Sequence, residues 1–223
     1  MQPLSGQILA FYRQLTIPVR LPRGVVVMNP YHDADAWTCC TAFYRKFYTD
    51  QDPRTMILGI NPGRYGGGMT GIPFTDPVRL EQVCGIANNF SKRGELSSEF
   101  MYRVIEAWGG AIPFFRRFYF SAISPLGFTR NGKNLNYYDV PALQQRLTPL
   151  MHRWLQQQLA MGCKTDRVFC VGEAENYRFL NQLNATGGYF QEIIPLPHPR
   201  FIMQYRRKQL ADYVIRYLEN LRN

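Results

Sequence analysis

Histidine and acidic residues are scarce in this chain. There are three histidines, His32, His152 and His198, and 16 Asp and Glu stand against 26 Lys and Arg. No two histidines fall at HxH or HxxxH spacing, and the five cysteines, Cys39, Cys40, Cys84, Cys163 and Cys170, contain no CxxC pair. A zinc or iron–sulfur centre has little to build on, and an odd set of thiols without framework spacing argues against a disulfide scaffold. Neither a metal nor another cofactor is expected, and the cysteines are expected as buried thiols in a reducing cytosol. Long apolar runs are missing too, since none approaches the ~20 residues that cross a bilayer. Met1 to Tyr12 lacks the basic and apolar regions of a leader, so a cytoplasmic protein without a membrane partner is expected. No GxSxG elbow and no GKS/T loop ending is present. Small-ester hydrolysis and nucleotide triphosphate binding are thereby disfavoured.

What is present is a basic, aromatic-rich chain of 223 residues, 46% apolar and 14% aromatic, with a formal net charge of +10. Such a length and composition suit one domain spanning 1–223, expected as a monomer. The positive excess points to a polyanionic partner, with nucleic acid first. Helical periodicity marks Leu4 to Leu15, Ala34 to Tyr48 with Asp33 or Asp35 as its cap, about Asp139 to Met161, and about Gln204 to Leu221. Between them lie strand patterns at Thr55 to Ile60, Phe118 to Ile123, Arg167 to Val171 and Phe190 to Pro195. The first is apolar on both faces, as a central parallel strand requires. The alternation predicts an α/β fold of three layers, a central four-stranded parallel sheet flanked by helices. Ligands of such sheets sit beyond the carboxyl ends of the strands.

Three of those ends carry dense signals. After the first strand runs Gly59-Ile60-Asn61-Pro62-Gly63-Arg64-Tyr65 and on to Phe74, with five glycines and two prolines between Asn61 and Pro73. Pro62 keeps Asn61 out of the helical region, so its amide is held at the strand mouth, where it can orient a water but cannot take its proton. The second end is Ser121-Ala122-Ile123-Ser124-Pro125-Leu126-Gly127-Phe128, followed by Gly132-Lys133-Asn134-Leu135-Asn136, read as polar turns. The last is Pro197-His198-Pro199-Arg200-Phe201, with Arg206-Arg207-Lys208 opening the final helix. Three cations in a first turn oppose the helix dipole, so an anion is expected beside them.

Together, Gly59-x-Asn61-Pro62-Gly63 … Thr70-Gly71-x-Pro73-Phe74, Pro125-Leu126-Gly127-Phe128 … Gly132-Lys133-Asn134-Leu135 and His198-Pro199 resemble the uracil-DNA glycosylase superfamily. Within it the pattern is similar to the single-strand-selective monofunctional (SMUG) group, as a divergent bacterial branch. The resemblance spans about Met56 to Arg207. It implies a uracil-DNA glycosylase-like fold that flips a base from DNA into a pocket and excises it, leaving an abasic site. It further implies that Asn61 positions the attacking water and that His198 stabilises the departing uracil anion at O2. Phe74 would stack on the base, Gly63 back the water site and Tyr65 line the pocket wall. Ser124 and Pro125 would pinch the DNA backbone, and Pro199-Arg200-Phe201-Ile202-Met203 would fill the gap in the base stack. Lys133, Arg206, Arg207 and Lys208 would contact phosphates. Where the group carries a base-reading Asn, this chain has Ala122. Either Asn134 or backbone groups would read the base edge, or specificity is relaxed towards oxidised or deaminated bases. The rival reading is a non-catalytic module that holds single-stranded DNA in the same cleft, showing salt-dependent affinity and no abasic product.

Overall fold

In the computed structural model, which describes residues 3–222, the apolar run Thr55–Gly59 is a strand with every residue buried. Met1, Gln2 and Asn223 lie outside the described residues, so the leader reading and the 1–223 domain span are followed only from Pro3 to Arg222. The elements up to the chain's middle are α1 (Leu4–Arg13), β1 (Val25–Met28), α2 (Ala34–Phe47), β2 (Thr55–Gly59), α3 (Gly67–Thr70), α4 (Pro77–Gln82), α5 (Leu96–Trp108) and α6 (Ala111–Arg117). They continue as β3 (Phe118–Ala122), β4 (Gly127–Arg130), β5 (Lys133–Leu135), α7 (Pro141–Ala160), β6 (Arg167–Val171), α8 (Glu175–Gly187), β7 (Glu192–Leu196), α9 (Pro199–Tyr205) and α10 (Leu210–Arg222).

The predicted parallel sheet is present, four strands in the order β3-β2-β6-β7. All three pairings are parallel, and Gly59 sits beside Ala122 at the mouth of β2 and β3. Centre and edge differ as burial requires. β2 and β3 are buried throughout, while β7 is exposed or half-buried until Leu196 and tolerates Pro195, whose missing N–H an edge strand does not need. Among the helix caps, Asp33 and not Asp35 starts α2, its carboxylate accepting from Ala36 N at 2.9 Å. Such a cap contributes about 1 kcal/mol. The stripe Leu143, Leu147, Leu150, Trp154 and Leu155 of α7 is buried, as its periodicity predicts.

Two readings need correction. First, residues 127–135 are not polar turns but the central strand β4 and the edge strand β5 of a second, three-stranded antiparallel sheet in the order β1-β4-β5. Its hairpin turns on Asn131 and Gly132, with φ of 50° and 69°. Both central residues in the left-handed region are what a tight two-residue hairpin demands, and Asn-Gly is its usual sequence. Second, the final helix does not run unbroken from Gln204. α9 ends at Tyr205, a 3₁₀ turn covers Arg207–Gln209, and α10 begins at Leu210. Arg206 therefore caps the carboxyl end of α9, where a cation is favoured by the helix dipole. The dipole argument for a compensating anion loses its premise on that geometry.

The core is aromatic and dry. Tyr12 stacks on Tyr31 with ring centres 4.4 Å apart, and the Tyr44 and Tyr119 hydroxyls reach the Tyr12 hydroxyl at 3.3 and 3.1 Å. Burial pushes the Tyr12 hydroxyl up to about 12, so this network stays neutral. The fully buried Arg54 is satisfied by Phe115 O at 2.9 Å and by Asp50 at 2.7 Å. All five cysteines are buried free thiols, and burial raises Cys84 to about 11. Groups held protonated in this way are inert.

Candidate active site

Beyond the carboxyl ends of the parallel strands lies a cavity of about 560 Å³, lined by residues that include Asn61, Phe74, Asn134, Asn176 and His198. That volume is in the range of small-molecule sites, about 300–1,000 Å³. Its floor is built by a close approach. A Cβ on Gly59 would lie 2.7 Å from Phe74 Cζ, so only glycine lets that ring rest on the end of β2. Phe74 is held at φ 55°, a conformation that costs a non-glycine residue about 1–3 kcal/mol. The loop around it supplies the restraint, as Thr70 Oγ1 donates to Thr75 O at 2.7 Å and accepts from Ile72 N at 3.2 Å. The ring then meets Phe120 edge-on at 5.2 Å. Gly59→Ala is expected to displace Phe74, costing about 1–3 kcal/mol of stability by overpacking. A thermal melt checks the stability loss.

Asn61 is clamped from both sides of its amide. Nδ2 donates to Leu135 O at 3.2 Å and Oδ1 accepts from Tyr137 N at 3.0 Å. The partners come from the end of β5 and the residues just after it, so the second sheet fixes the amide's orientation at this end. Behind it, the buried Tyr137 hydroxyl donates to Asn176 Oδ1 at 2.9 Å, and Asn176 Nδ2 donates to Val171 O at 3.0 Å. The ends of β2 and β6 are thereby joined through three side chains. Asn61 Oδ1 keeps one lone pair for a water.

His198 enters from the end of β7 as the N-cap of α9. Its Nδ1 accepts from Arg200 N at 3.2 Å. Burial, aided by the Arg200 charge, lowers the imidazole from 6.5 to about 4. The ring is neutral at pH 7, and with Nδ1 engaged as an acceptor its proton sits on Nε2. A neutral N–H donor is thus presented by a rigid Pro-His-Pro segment.

The other expected residues divide. Gly63 and Asn134 line the cavity, and Asn134 Oδ1 accepts from Arg64 N at 3.1 Å, leaving its amide nitrogen without a hydrogen-bond partner among the described residues. Arg200 and Phe201 also line it, and Phe201 is 43% exposed. Pro199, Ile202 and Met203 are buried, so of the expected wedge only the first exposed turn of α9 is available. Ser124 and Pro125 are buried, and Ser124 Oγ donates to Leu126 O at 2.8 Å. A spent hydroxyl beneath the surface cannot pinch a DNA backbone. Tyr65 is not on the cavity wall, because the guanidinium groups of Arg64 and Arg93 gather on its ring. Lys133, Arg206, Arg207 and Lys208 are exposed outside the cavity, with Arg206 5.3 Å above the Phe201 ring and Arg207 3.9 Å from Glu99. Ala122 is buried at the floor, and next to it Ser121 donates to Gln158.

Sequence reasoning missed the third strand end. Gly172, Glu173 and Asn176, after β6, line the same cavity, as do Tyr138 from the post-hairpin segment and Tyr205 from α9. The rule that ligands gather beyond strand ends covers the first group, and Val171-Gly172-Glu173 stood at such an end. Among the described residues, no group of three or more His, Cys, Asp or Glu could hold a metal ion, and no helix is long and apolar enough to cross a membrane.

The family model described as the uracil DNA glycosylase superfamily matches residues 46–222. The chain belongs to that superfamily. As a uracil DNA glycosylase superfamily member it is a DNA glycosylase, a base-excision repair hydrolase of N-glycosyl bonds. Among solved structures it is similar to the crystal structure of wild-type SMUG2 from Pedobacter heparinus, at 39% identity and a TM-score of 0.97. The likeness covers 100% of this chain and 98% of that one, and bears out the SMUG-like resemblance and the glycosylase fold. A search of curated proteins finds no match.

Proposed function

We propose that the protein, acting as a single-domain cytoplasmic monomer without a metal, flips uracil out of DNA and hydrolyses its N-glycosidic bond. The observation that carries this reading is the meeting of Asn61, Phe74 and His198 in one cavity from two strand ends and the glycine-rich loop. Breaking the bond through an oxocarbenium-like transition state leaves negative charge on the base, so stabilising the leaving group matters more than a strong base. The neutral His198 Nε2–H donates to uracil O2 as that charge grows. Asn61 Oδ1, aimed by the Tyr137 N–H, accepts from the water that attacks the sugar. Phe74 offers its face to the flipped ring.

With Ala122 giving no hydrogen bond, the free amide nitrogen of Asn134 is the base-edge reader, and a donor alone suits the O4 of uracil. A donor that reads one carbonyl and an apolar floor discriminate weakly, which favours acceptance of oxidised or deaminated bases. The exposed turn of α9 serves as the wedge, because Phe201 stands at the cavity mouth with its ring 5.7 Å from that of Tyr205. Phe201→Ala is expected to lower excision from duplexes about tenfold more than from single strands, since only a duplex needs its stack filled. Equal losses on the two substrates would remove the wedge role. The reading as a whole is tested by incubating the protein in EDTA with labelled oligonucleotides carrying uracil, hydroxymethyluracil, xanthine or hypoxanthine. Alkali then cleaves at any abasic site. Uracil is expected to give the strongest cleavage, and no cleavage on any substrate would reject the reading.

A further inference from the structure

The glycine-rich loop carries a cationic cluster that the chemistry of base excision leaves unused. The guanidinium carbon of Arg93 lies 3.7 Å from the centre of the Tyr65 ring, and that of Arg64 lies 4.8 Å from it. Arg64 Nη2 also donates to the Tyr65 hydroxyl at 3.0 Å. Among the described residues no ion pair includes Arg64 or Arg93, whereas the neighbouring Arg79 and Lys92 are paired with Asp76 and Glu81. Glu95, which lines the cavity and approaches the loop at Gly66, has one carboxylate oxygen, Oε2, engaged as the cap of α5 by Ser98 N at 2.9 Å. Arg64 Nε is buried without a hydrogen-bond partner.

Two like charges drawn onto one ring repel each other, and a buried N–H without a partner is unfavourable. The ring attracts each cation but offers no acceptor to the orphan donor. The repulsion between the two cations is removed by an anion with several acceptor oxygens held between them, and guanidinium forks match phosphate in shape; the buried Nε of Arg64 lies out of its reach. The cluster's position names the source of that phosphate. Arg64 and Tyr65 lie between Gly63 and Gly66, and both glycines line the cavity. A phosphate held there belongs to the strand whose nucleotide enters it.

We propose that Arg64, Tyr65 and Arg93 form a clamp for a backbone phosphate of the target DNA strand, with Tyr65 as the platform that sets the two guanidinium groups. The clamp rests on the glycosylase reading for its ligand, and it is separate from the cations that follow Phe201. Neutralising a phosphate of single-stranded DNA contributes about 0.7 to the slope of log affinity against log salt. The test is fluorescence anisotropy of a labelled, uracil-free single strand, titrated at several salt concentrations with the full chain. Arg64→Gln and Arg93→Gln are each expected to reduce the slope, and the pair together to reduce it by about 0.7, the contribution of the one phosphate they share. Arg153→Gln, which removes an exposed α7 charge that does not line this cavity, should leave the slope at the wild-type value. If Arg64→Gln fails to fold, the exposed Arg93 decides alone. Wild-type slopes in the Arg93 variant, or an equal drop in the Arg153 variant, would overturn the clamp. Inorganic phosphate added at matched ionic strength separates the two possible ligands: competition by free phosphate with unchanged DNA slopes also overturns it. Excision of uracil by the wild-type protein is measured alongside, so that loss of the clamp alone leaves excision standing, and failure of the glycosylase reading abolishes it.

Discussion

His198→Ala lowers single-turnover uracil excision about 100- to 1,000-fold, the usual cost of removing a donor aimed at developing negative charge. DNA binding is expected to stay within a few fold, because the histidine meets the base only in the cavity. The substitution also removes a helix cap, so a loss of about 1 kcal/mol of stability accompanies it and a thermal melt separates the two effects. Wild-type-like excision in a folded variant would contradict the leaving-group role. The pH dependence gives a second view of the same residue. Since burial lowers the imidazole to about 4, the acid limb of kcat/KM should lie near pH 4 instead of near the 6.5 of an ordinary histidine. Protonation there breaks the bond that Nδ1 accepts from Arg200 N. Stability follows the same direction. The unfolded chain binds the proton first, so the contribution of neutral His198 is complete above about 6.5 and is lost as pH falls from there through about 4.

Asn61→Ala is expected to reduce excision by a similar two to three orders of magnitude, again with binding largely preserved. Asn61→Asp is the sharper comparison. A carboxylate would promise a general base, yet the position now held by Nδ2 faces Leu135 O at 3.2 Å and Pro62 O at 3.4 Å. Two carbonyl oxygens would repel a carboxylate oxygen and favour its protonated form. Asn61→Asp is therefore expected to excise more slowly than the wild type at pH 7. Faster excision would show that the amide is replaceable and that the clamp from Leu135 and Tyr137 does not set the chemistry.

How much of this was legible in the chain depended on whether the signal was local. The strand at Thr55–Gly59 could be read because a central strand is apolar on both faces, and the Asn61 and His198 motifs because proline fixes the backbone beside each. The second sheet was not seen, although Asn131-Gly132 is a strong hairpin signal, because β5 is only three residues long and shows no apolar alternation. The break at Arg206 has no proline or glycine to mark it. Burial of Ser124 and Pro125 and the capture of Tyr65 by two arginines are tertiary facts. The first depends on β4 pairing with β1 and the second on Arg93, 28 residues further along the chain. The role of Gly59 is likewise visible only once the Phe74 ring is found against it.

The most direct test of the central claim is a single-turnover time course on a uracil-containing oligonucleotide in EDTA, following free uracil and strand integrity together. The expected result is one uracil released per strand, with the backbone intact until alkali cleaves it at the former uracil. Tight, salt-sensitive binding with no uracil released and no alkali-labile site would contradict it, and would make the cavity a holder of single-stranded DNA.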